Sequence, residues 1–170
     1  MNFLRFTLVV MMLIIAGACR SGIKEFGPSN EIQIQAVYQD QQCPDYLPGI
    51  KPIRDTEALA DWWQPIASRQ YPAKTLPQLL GAIDFEQSAV FSISMGQQPS
   101  SGYGIELNKN LTTVQEGSLS IPVNWQKPSP NIMVAQIITN PCIIITVPAG
   151  DYRTVTVRDQ HGYIVLEAHF

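Results

Sequence analysis

Residues 89–103 read AVFSISMGQQPSSGY, and this stretch holds the pattern that decides the fold. Hydrophobic and small polar residues alternate over its first seven positions, which is the period-two pattern of a β-strand. Pro99 then fixes one backbone angle and Gly102 permits a positive φ, so the middle of the stretch is a rigid turn. A second alternating segment begins at Tyr103. The stretch therefore predicts two strands joined by a shaped turn.

Downstream of this unit, the sequence continues as short strand patterns separated by turn residues. The predicted strands cover residues 103–108, 111–115, 119–125, 132–139, 142–147, 154–158 and 163–169. Asp159-Gln160-His161-Gly162 lies between the last two and predicts a hairpin turn. Upstream, residues 32–38 alternate like a strand, whereas residues 39–54 contain three prolines and a glycine and are predicted to be a loop.

The best helix pattern begins at Asp55-Thr56-Glu57, because Asp55 or Thr56 can accept hydrogen bonds from the first helical turn. The hydrophobic residues of this segment fall on one face at helical spacing: Leu59, Trp62, Trp63 and Ile66. Pro65 predicts that the helix kinks or ends near Gln64. Two adjacent tryptophans can form a sugar platform, but on an amphipathic helix they are typical of a core. Residues 75–80 predict a second, shorter helical turn.

One helical section ahead of seven or eight short strands predicts an α+β domain. Its sheet is expected to be mostly antiparallel, a sandwich or half-barrel, with one or two short helices before the main run of strands. We expect residues 31–170 to form this single domain, preceded by a leader at 1–18 and a tether at 19–30. The composition is 45% hydrophobic and only 15% charged, which excludes a wholly disordered protein.

The N-terminal leader has a short basic start and an apolar run at residues 6–18. The run is too short for a membrane-spanning helix, which needs about 20 residues, and has the length of a signal-peptide core. Ala16-Gly17-Ala18 before Cys19 resembles the lipobox of bacterial lipoproteins, although leucine is usual where Ala16 stands. The resemblance implies lipidation at Cys19 and cleavage before it. Ordinary secretion with a free Cys19 is the alternative.

Arg20 follows the cysteine, so the aspartate that retains lipoproteins at the inner membrane is missing. The expected location is therefore the bacterial cell envelope, lipid-anchored at the outer membrane and facing the periplasm. In an exported protein, Cys43 and Cys142 are expected to form a disulfide bond. Two unpaired thiols, one of them buried around Cys142, are the alternative.

Charge and motifs exclude several classes of function. The formal net charge of −3 argues against a general nucleic-acid binder. The sequence contains two histidines, at His161 and His169, and has no Gly-x-Ser-x-Gly, His-Glu-x-x-His or Cys-x-x-Cys motif. We therefore predict no catalytic residue, no metal site and no cofactor, and we expect a protein that is not an enzyme.

The strand–glycine–turn unit resembles the PrcB C-terminal-type domain. The resemblance rests on Ile83-Asp84-Phe85, on Pro99-Ser100-Ser101-Gly102-Tyr103 and on Ile137-Ile138-Thr139-Asn140-Pro141 before an apolar strand, and spans roughly residues 53–157. That family is named for a small lipoprotein subunit of a protease complex, which implies an accessory lipoprotein rather than a mechanism. The turn also resembles the loop of chagasin-like protease inhibitors, with Gln98 in place of asparagine, but the Arg-Pro-Trp loop of those inhibitors is missing.

These observations predict a non-catalytic envelope lipoprotein that binds a protein partner, stabilising or inhibiting a protease. The predicted partner-binding residues form the turn and its flanks: Gln98, Pro99, Ser100, Ser101, Gly102 and Tyr103. A well-made hairpin connection without a partner is the simpler alternative for this segment. The alternative function is a small-ligand or glycan binder that uses Trp62, Trp63 and Trp125.

Overall fold

A computed structural model describes residues 30–69 and 72–170 of the protein. The predicted leader, the lipidation site Cys19 and nearly all of the tether lie outside the described residues, and residue 30 already belongs to the first strand. The described elements run in the order β1 (Asn30–Gln33), β2 (Gln35–Asp40), β3 (Pro48–Ile53), α1 (Thr56–Ala67), α2 (Gln78–Gly81), β4 (Ser88–Met95), β5 (Gly104–Leu107), β6 (Leu111–Gln115), β7 (Ser118–Gln126), β8 (Cys142–Pro148), β9 (Thr154–Arg158) and β10 (Ile164–His169).

The strands form two sheets. Sheet A has the order β1-β6-β7-β9-β10, with β5 pairing the far half of β7, and sheet B has the order β2-β8-β4-β3. Every strand pair is antiparallel apart from β7 and β9, which run parallel. With its two short helices ahead of the main run of strands, this sandwich confirms the predicted α+β class.

The main core lies between the two sheets, where alternate residues of each strand point inward. Phe91 and Ile93 from sheet B meet Leu119, Ile121 and Val157 from sheet A, and all five are buried. The other face of sheet A is polar, so apolar and polar residues alternate along β7 and β9. Burial of this apolar surface is the main stabilising contribution of the fold, at roughly 25 cal/mol per Å².

Sheet B is covered on both faces, because α1 packs against the face that points away from the main core. Leu59 and Trp63 of α1 contact Val90 and Ile144 in a second buried cluster. The helix begins as predicted, with the Asp55 carboxylate accepting a hydrogen bond from the Ala58 N–H at 2.8 Å. A strand buried on both faces loses the polar alternation, which explains why β8 is apolar along most of its length.

Three expectations about local structure are wrong. Residues 48–53, predicted as loop, form the edge strand β3, and an edge position tolerates proline because the missing N–H would face away from the ladder. Pro65 was predicted to kink or end the helix near Gln64; the ending is wrong, because the helix continues past Pro65 to Ala67 and the proline removes only the one hydrogen bond of its own N–H. Residues 132–138, predicted as strand, form an exposed extended segment outside the sheets.

Candidate protein-binding site

Three connections meet at one end of the sandwich, and we call residues 41–47, 96–103 and 127–141 the loop end. They converge because the strands that precede them end, and the strands that follow them begin, at the same end of the two sheets. Cys142 at the start of β8 lies opposite both Asp40 and Ser94. On sheet A, Gly104 lies opposite Gln126. The turn at 96–103 and the connection at 127–141, which we call the long connection, therefore also leave from this end.

The predicted turn is bound along one side by the long connection. Gln98 and Thr139 exchange main-chain hydrogen bonds at 2.7 and 3.1 Å. The Ser101 N–H donates to the Ala135 carbonyl at 2.9 Å, and the Ser101 hydroxyl accepts from the Ala135 N–H at 3.1 Å. The Thr139 hydroxyl adds a bond to the Ser100 carbonyl at 3.0 Å. The turn is therefore rigid, as predicted, but it does not project alone.

The six predicted partner-binding residues differ in exposure. Pro99 and Gly102 are exposed, Gln98, Ser101 and Tyr103 are half-buried, and Ser100 is buried at 6% exposure. Tyr103 packs on the edge of the main core without being sealed inside it. The side chains of this turn that a partner can reach are those of Pro99 and, in part, its half-buried neighbours.

Two glycines show why the turn needs this sequence. Gly96 has φ of +68°, and a Cβ there would lie 2.5 Å from the Pro48 nitrogen. Gly102 has φ of +88°, with a Cβ position 3.1 Å from Pro128. Glycine is thus required at Gly96 for both backbone angle and space. It lets the turn pass tightly against the 41–47 connection, where the Gln97 N–H donates to the Tyr46 carbonyl.

A disulfide bond anchors the 41–47 connection. Cys43 and Cys142 are bonded, with a Cα–Cα distance of 6.0 Å, and both are buried. The disulfide predicted from the cysteine count is therefore confirmed. The Cys43 N–H also donates to the Asn140 carbonyl at 3.0 Å. This covalent link and its hydrogen bond tie two of the three connections together directly beneath the surface.

Asp45 is a second anchor for the same connection, although sequence analysis did not single it out. Its carboxylate is 9% exposed and lies 2.5 Å from the Lys51 ammonium. It also accepts hydrogen bonds from the Trp62 indole N–H at 3.2 Å and the Ser92 hydroxyl at 3.4 Å. A buried carboxylate needs such partners to offset desolvation. Asp45 therefore holds the connection against sheet B and α1.

The three connections of the loop end expose large apolar side chains and contain few charged residues. Its exposed large hydrophobic side chains are Tyr46, Leu47, Ile132, Met133, Ile137 and Ile138, of which Met133 is 98% exposed. The three connections contain two charged residues, Lys127 and the buried, paired Asp45. Several exposed large hydrophobic side chains on neighbouring connections indicate an interaction site.

Sequence reasoning missed this apolar surface, since it assigned residues 132–139 to a strand. The signal that could have found it is the block Lys127-Pro128-Ser129-Pro130-Asn131, because two prolines and polar turn residues directly before an apolar run argue against a central strand. The predicted turn and the exposed apolar segment are adjacent, since the turn and residues 134–139 share hydrogen bonds.

The tryptophans of the alternative glycan-binding hypothesis do not converge. Trp63 is buried in the cluster beneath α1, and half-buried Trp62 donates its indole N–H to Asp45. Trp125 packs against the main core on sheet A. The tyrosine beside the helix, Tyr38, contacts both helix tryptophans edge-on, with ring centroids 5.7 and 5.5 Å away. The helix tryptophans therefore belong to a packed aromatic cluster, and no shared platform forms among the three.

Neither histidine belongs to the three connections of the loop end. His161 is exposed in the β9–β10 turn, where its N–H donates to Asp159. His169 lies 3.2 Å from Glu167 and 3.1 Å from the Thr154 hydroxyl on an exposed strand. Within residues 30–69 and 72–170, no three His, Cys, Asp or Glu side chains lie close enough together to hold a metal ion. No helix of that part has the length and apolar character needed to cross a bilayer.

Comparison with known proteins gives one match. Residues 90–148 match the family model described as PrcB C-terminal. This region is therefore similar to the PrcB C-terminal family. The matched region begins in β4, ends with β8, and includes two of the three connections of the loop end.

The match confirms the resemblance for the middle of the predicted span, while residues 53–89 and 149–157 lie outside it. The similarity to chagasin-like inhibitors is not confirmed. A search of curated proteins and a search of solved structures returned no match.

Proposed function

We propose that this protein is a non-catalytic envelope lipoprotein that binds a protein partner through the loop end, as an accessory subunit of a protease. The observation that carries the proposal is the apolar, nearly uncharged surface formed by Leu47, Met133, Ile137 and their neighbours. Interface centres are depleted in charge and enriched in methionine and aromatic residues, which fits this composition.

The PrcB C-terminal region supports the choice of a protease as the partner. The family's namesake is an accessory lipoprotein of a protease complex, and two of the connections that expose the apolar surface lie inside the matched region. The predicted turn contributes Pro99 at the surface and acts chiefly as the scaffold for residues 134–139.

Rigidity supports binding rather than a flexible linker role. The loop end is held by a disulfide bond, by the Asp45 network and by paired main-chain hydrogen bonds. Preorganised loops lose less conformational entropy on binding, so more of the contact energy appears as affinity. Six exposed hydrophobic side chains on a rigid frame can therefore act as anchors for an apolar groove of the partner.

The position of Asn30 agrees with this arrangement. Asn30 lies opposite Val114, next to the β6–β7 turn, whereas β7 runs from that turn toward the loop end. We therefore propose that the membrane-proximal side is the β6–β7 turn and that the loop end faces away from the bilayer.

A quantitative pull-down from envelope extract tests the proposal. The full-length protein should enrich a protease, and Met133→Glu combined with Ile137→Glu should reduce its recovery by about tenfold or more, since buried interface anchors contribute about 2 kcal/mol or more. Leu79→Glu is the matched control, because Leu79 is 57% exposed on α2, away from the loop end. Equal recovery of the protease by the loop-end variant, or no enriched protease, would refute the proposal.

A further inference from the structure

The outward face of sheet A contains a polar cavity that the proposed partner-binding function does not use. Its volume is about 490 Å³, and it lies across β6, β7 and β9. Every lining residue is polar, including Gln115, Ser118 and Arg158. Pockets for drug-like ligands have the same range of volume but are lined mostly by apolar side chains. The ligand that fits this cavity is therefore small and rich in hydrogen-bonding groups.

Strand register lines up hydroxyl groups across the cavity. Thr113 lies opposite Ser120, and Ser120 lies opposite Thr156 on the next strand. Neighbouring strands are about 4.8 Å apart, so the three hydroxyls form a row about 10 Å long. Thr156 is only 6% exposed although it points to the outer face, which places it on the cavity floor. The Thr156 hydroxyl donates to the Leu119 carbonyl at 3.5 Å, and the Ser120 hydroxyl accepts from Arg158. A hydroxyl both donates and accepts, so Thr156 can still accept from a polyol ligand and Ser120 can still donate to it.

Arg158 forms a half-buried wall of the cavity. Its Nε donates to the Ser120 hydroxyl at 3.2 Å, and its Nη1 donates to the Gly162 carbonyl at 3.0 Å. No carboxylate of the described residues lies within 4 Å of this guanidinium. These two bonds fix the orientation of the side chain and leave three of its five N–H groups for an anion. Guanidinium groups bind carboxylates with planar, bidentate geometry.

We propose that this cavity binds a carboxylate-bearing sugar, with Arg158 on the carboxylate and the hydroxyl row on the ring hydroxyls. Glu116 lines the same cavity from the β6–β7 turn and can accept a hydrogen bond from a further hydroxyl. Its lining residues are all polar, which favours a hydroxyl-rich ligand over a fatty or aromatic one. The site is independent of the loop end, because the β6–β7 turn lies at the other end of sheet A.

Saturation-transfer difference NMR on the full-length protein tests this site with four probes: glucuronate, trigalacturonate, glucose and acetate. Glucuronate should bind, whereas glucose and acetate should each bind about tenfold more weakly. Glucose lacks the carboxylate that Arg158 would bind, and acetate lacks the ring hydroxyls. Tighter binding of trigalacturonate than of glucuronate would identify an acidic polysaccharide as the source, and equal binding would identify a free sugar acid. Acetate binding as tight as glucuronate, or no glucuronate binding, would overturn the proposal.

Three variants assign the binding to the cavity. Arg158→Gln should weaken glucuronate binding about tenfold, through loss of a charge-assisted hydrogen bond. Thr113→Tyr should block the cavity without changing Arg158, and it keeps the test decisive if Arg158→Gln disturbs the neighbouring turn. Arg54→Gln is the control, since Arg54 is exposed beyond the end of β3 and outside the cavity. Unchanged binding in both cavity variants would contradict the assignment.

Discussion

Gln98 and Thr139 exchange both of their main-chain hydrogen bonds, at 2.7 and 3.1 Å, and thereby join the turn to the long connection. Because of this pairing, residues 134–139 run along the turn and present Ile137 and Ile138 to solvent. The exposed apolar surface thus depends on the turn, although the turn contributes few of its side chains.

The Thr139 side chain is expected to stabilise this pairing. Thr139→Val removes the hydrogen bond to the buried Ser100 carbonyl while preserving shape, and should lower the free energy of unfolding by about 1 kcal/mol. Urea denaturation measures the change. Thr113→Val is the control, because Thr113 is exposed and a surface substitution should stay within about 0.5 kcal/mol. Equal effects of the two substitutions would contradict the role given to Thr139.

Gly96 and Gly162 should respond differently to substitution by alanine. Both have positive φ, so each alanine should cost about 1–2 kcal/mol in backbone conformation. At Gly96, the new Cβ would also lie 2.5 Å from the Pro48 nitrogen, whereas nothing lies within 4 Å of it at Gly162. Gly96→Ala should therefore destabilise by at least about 1 kcal/mol more. Thermal unfolding of the two variants, measured side by side, checks this order. A smaller loss of stability at Gly96 than at Gly162 would contradict the steric argument.

The Cys43–Cys142 bond should contribute strongly to stability. It joins residues 99 apart in sequence, and the loop-entropy relation gives about 4–5 kcal/mol for such a loop. Adding a reductant should lower the urea midpoint of the natural protein accordingly. The double variant Cys43→Ala, Cys142→Ala should start from a lower midpoint and show no response to reductant. A natural protein whose midpoint is insensitive to complete reduction would show that the hydrogen bonds alone hold the loop end.

Tyr38 should give unfolding an alkaline pH dependence. Burial and the hydrogen bond to Asp40, 2.7 Å away, raise the pKa of Tyr38 above its ordinary value. Above about pH 10 the unfolded protein loses this proton while the folded protein retains it. The stability contribution is therefore complete below about pH 10 and is lost as pH rises through the folded pKa.

Unfolding free energies measured from pH 8 to pH 11 test this dependence. Tyr38→Phe should show a shallower loss of stability with rising pH than the natural protein. Some slope should remain, because burial also raises the pKa of Tyr152. An identical change of unfolding free energy with pH in both proteins would exclude Tyr38 as the source of the pH dependence.

The sequence predicted correctly those elements that depend on neighbouring residues along the chain. The strand at Ser88–Met95 and the Asp55 helix cap follow from alternation and capping chemistry, which are local properties. The Cys43–Cys142 bond was predicted, without any geometry, from the two cysteines that remain when Cys19 is assigned to lipidation and from an oxidising compartment. Strand alternation on either side also placed the turn at residues 96–102 correctly between two strands.

The remaining features depend on tertiary context that a pattern does not contain. Pro48 and Pro52 are compatible with β3 only because that strand lies at a sheet edge. Residues 132–138 have the composition of a buried strand, yet they join neither sheet, because the neighbouring connections hold them along the turn instead. Asp45 resembles an ordinary loop aspartate in the sequence because Lys51, Trp62 and Ser92 come together around it only after folding.

Site-specific photo-crosslinking in cells tests the central claim most directly. A crosslinker placed at Met133, and separately at Leu47, should capture the same protease, since both side chains are exposed at the loop end. A crosslinker at Leu79 on α2 should not capture it. Capture of the protease from position 79 and from neither loop-end position would contradict the account.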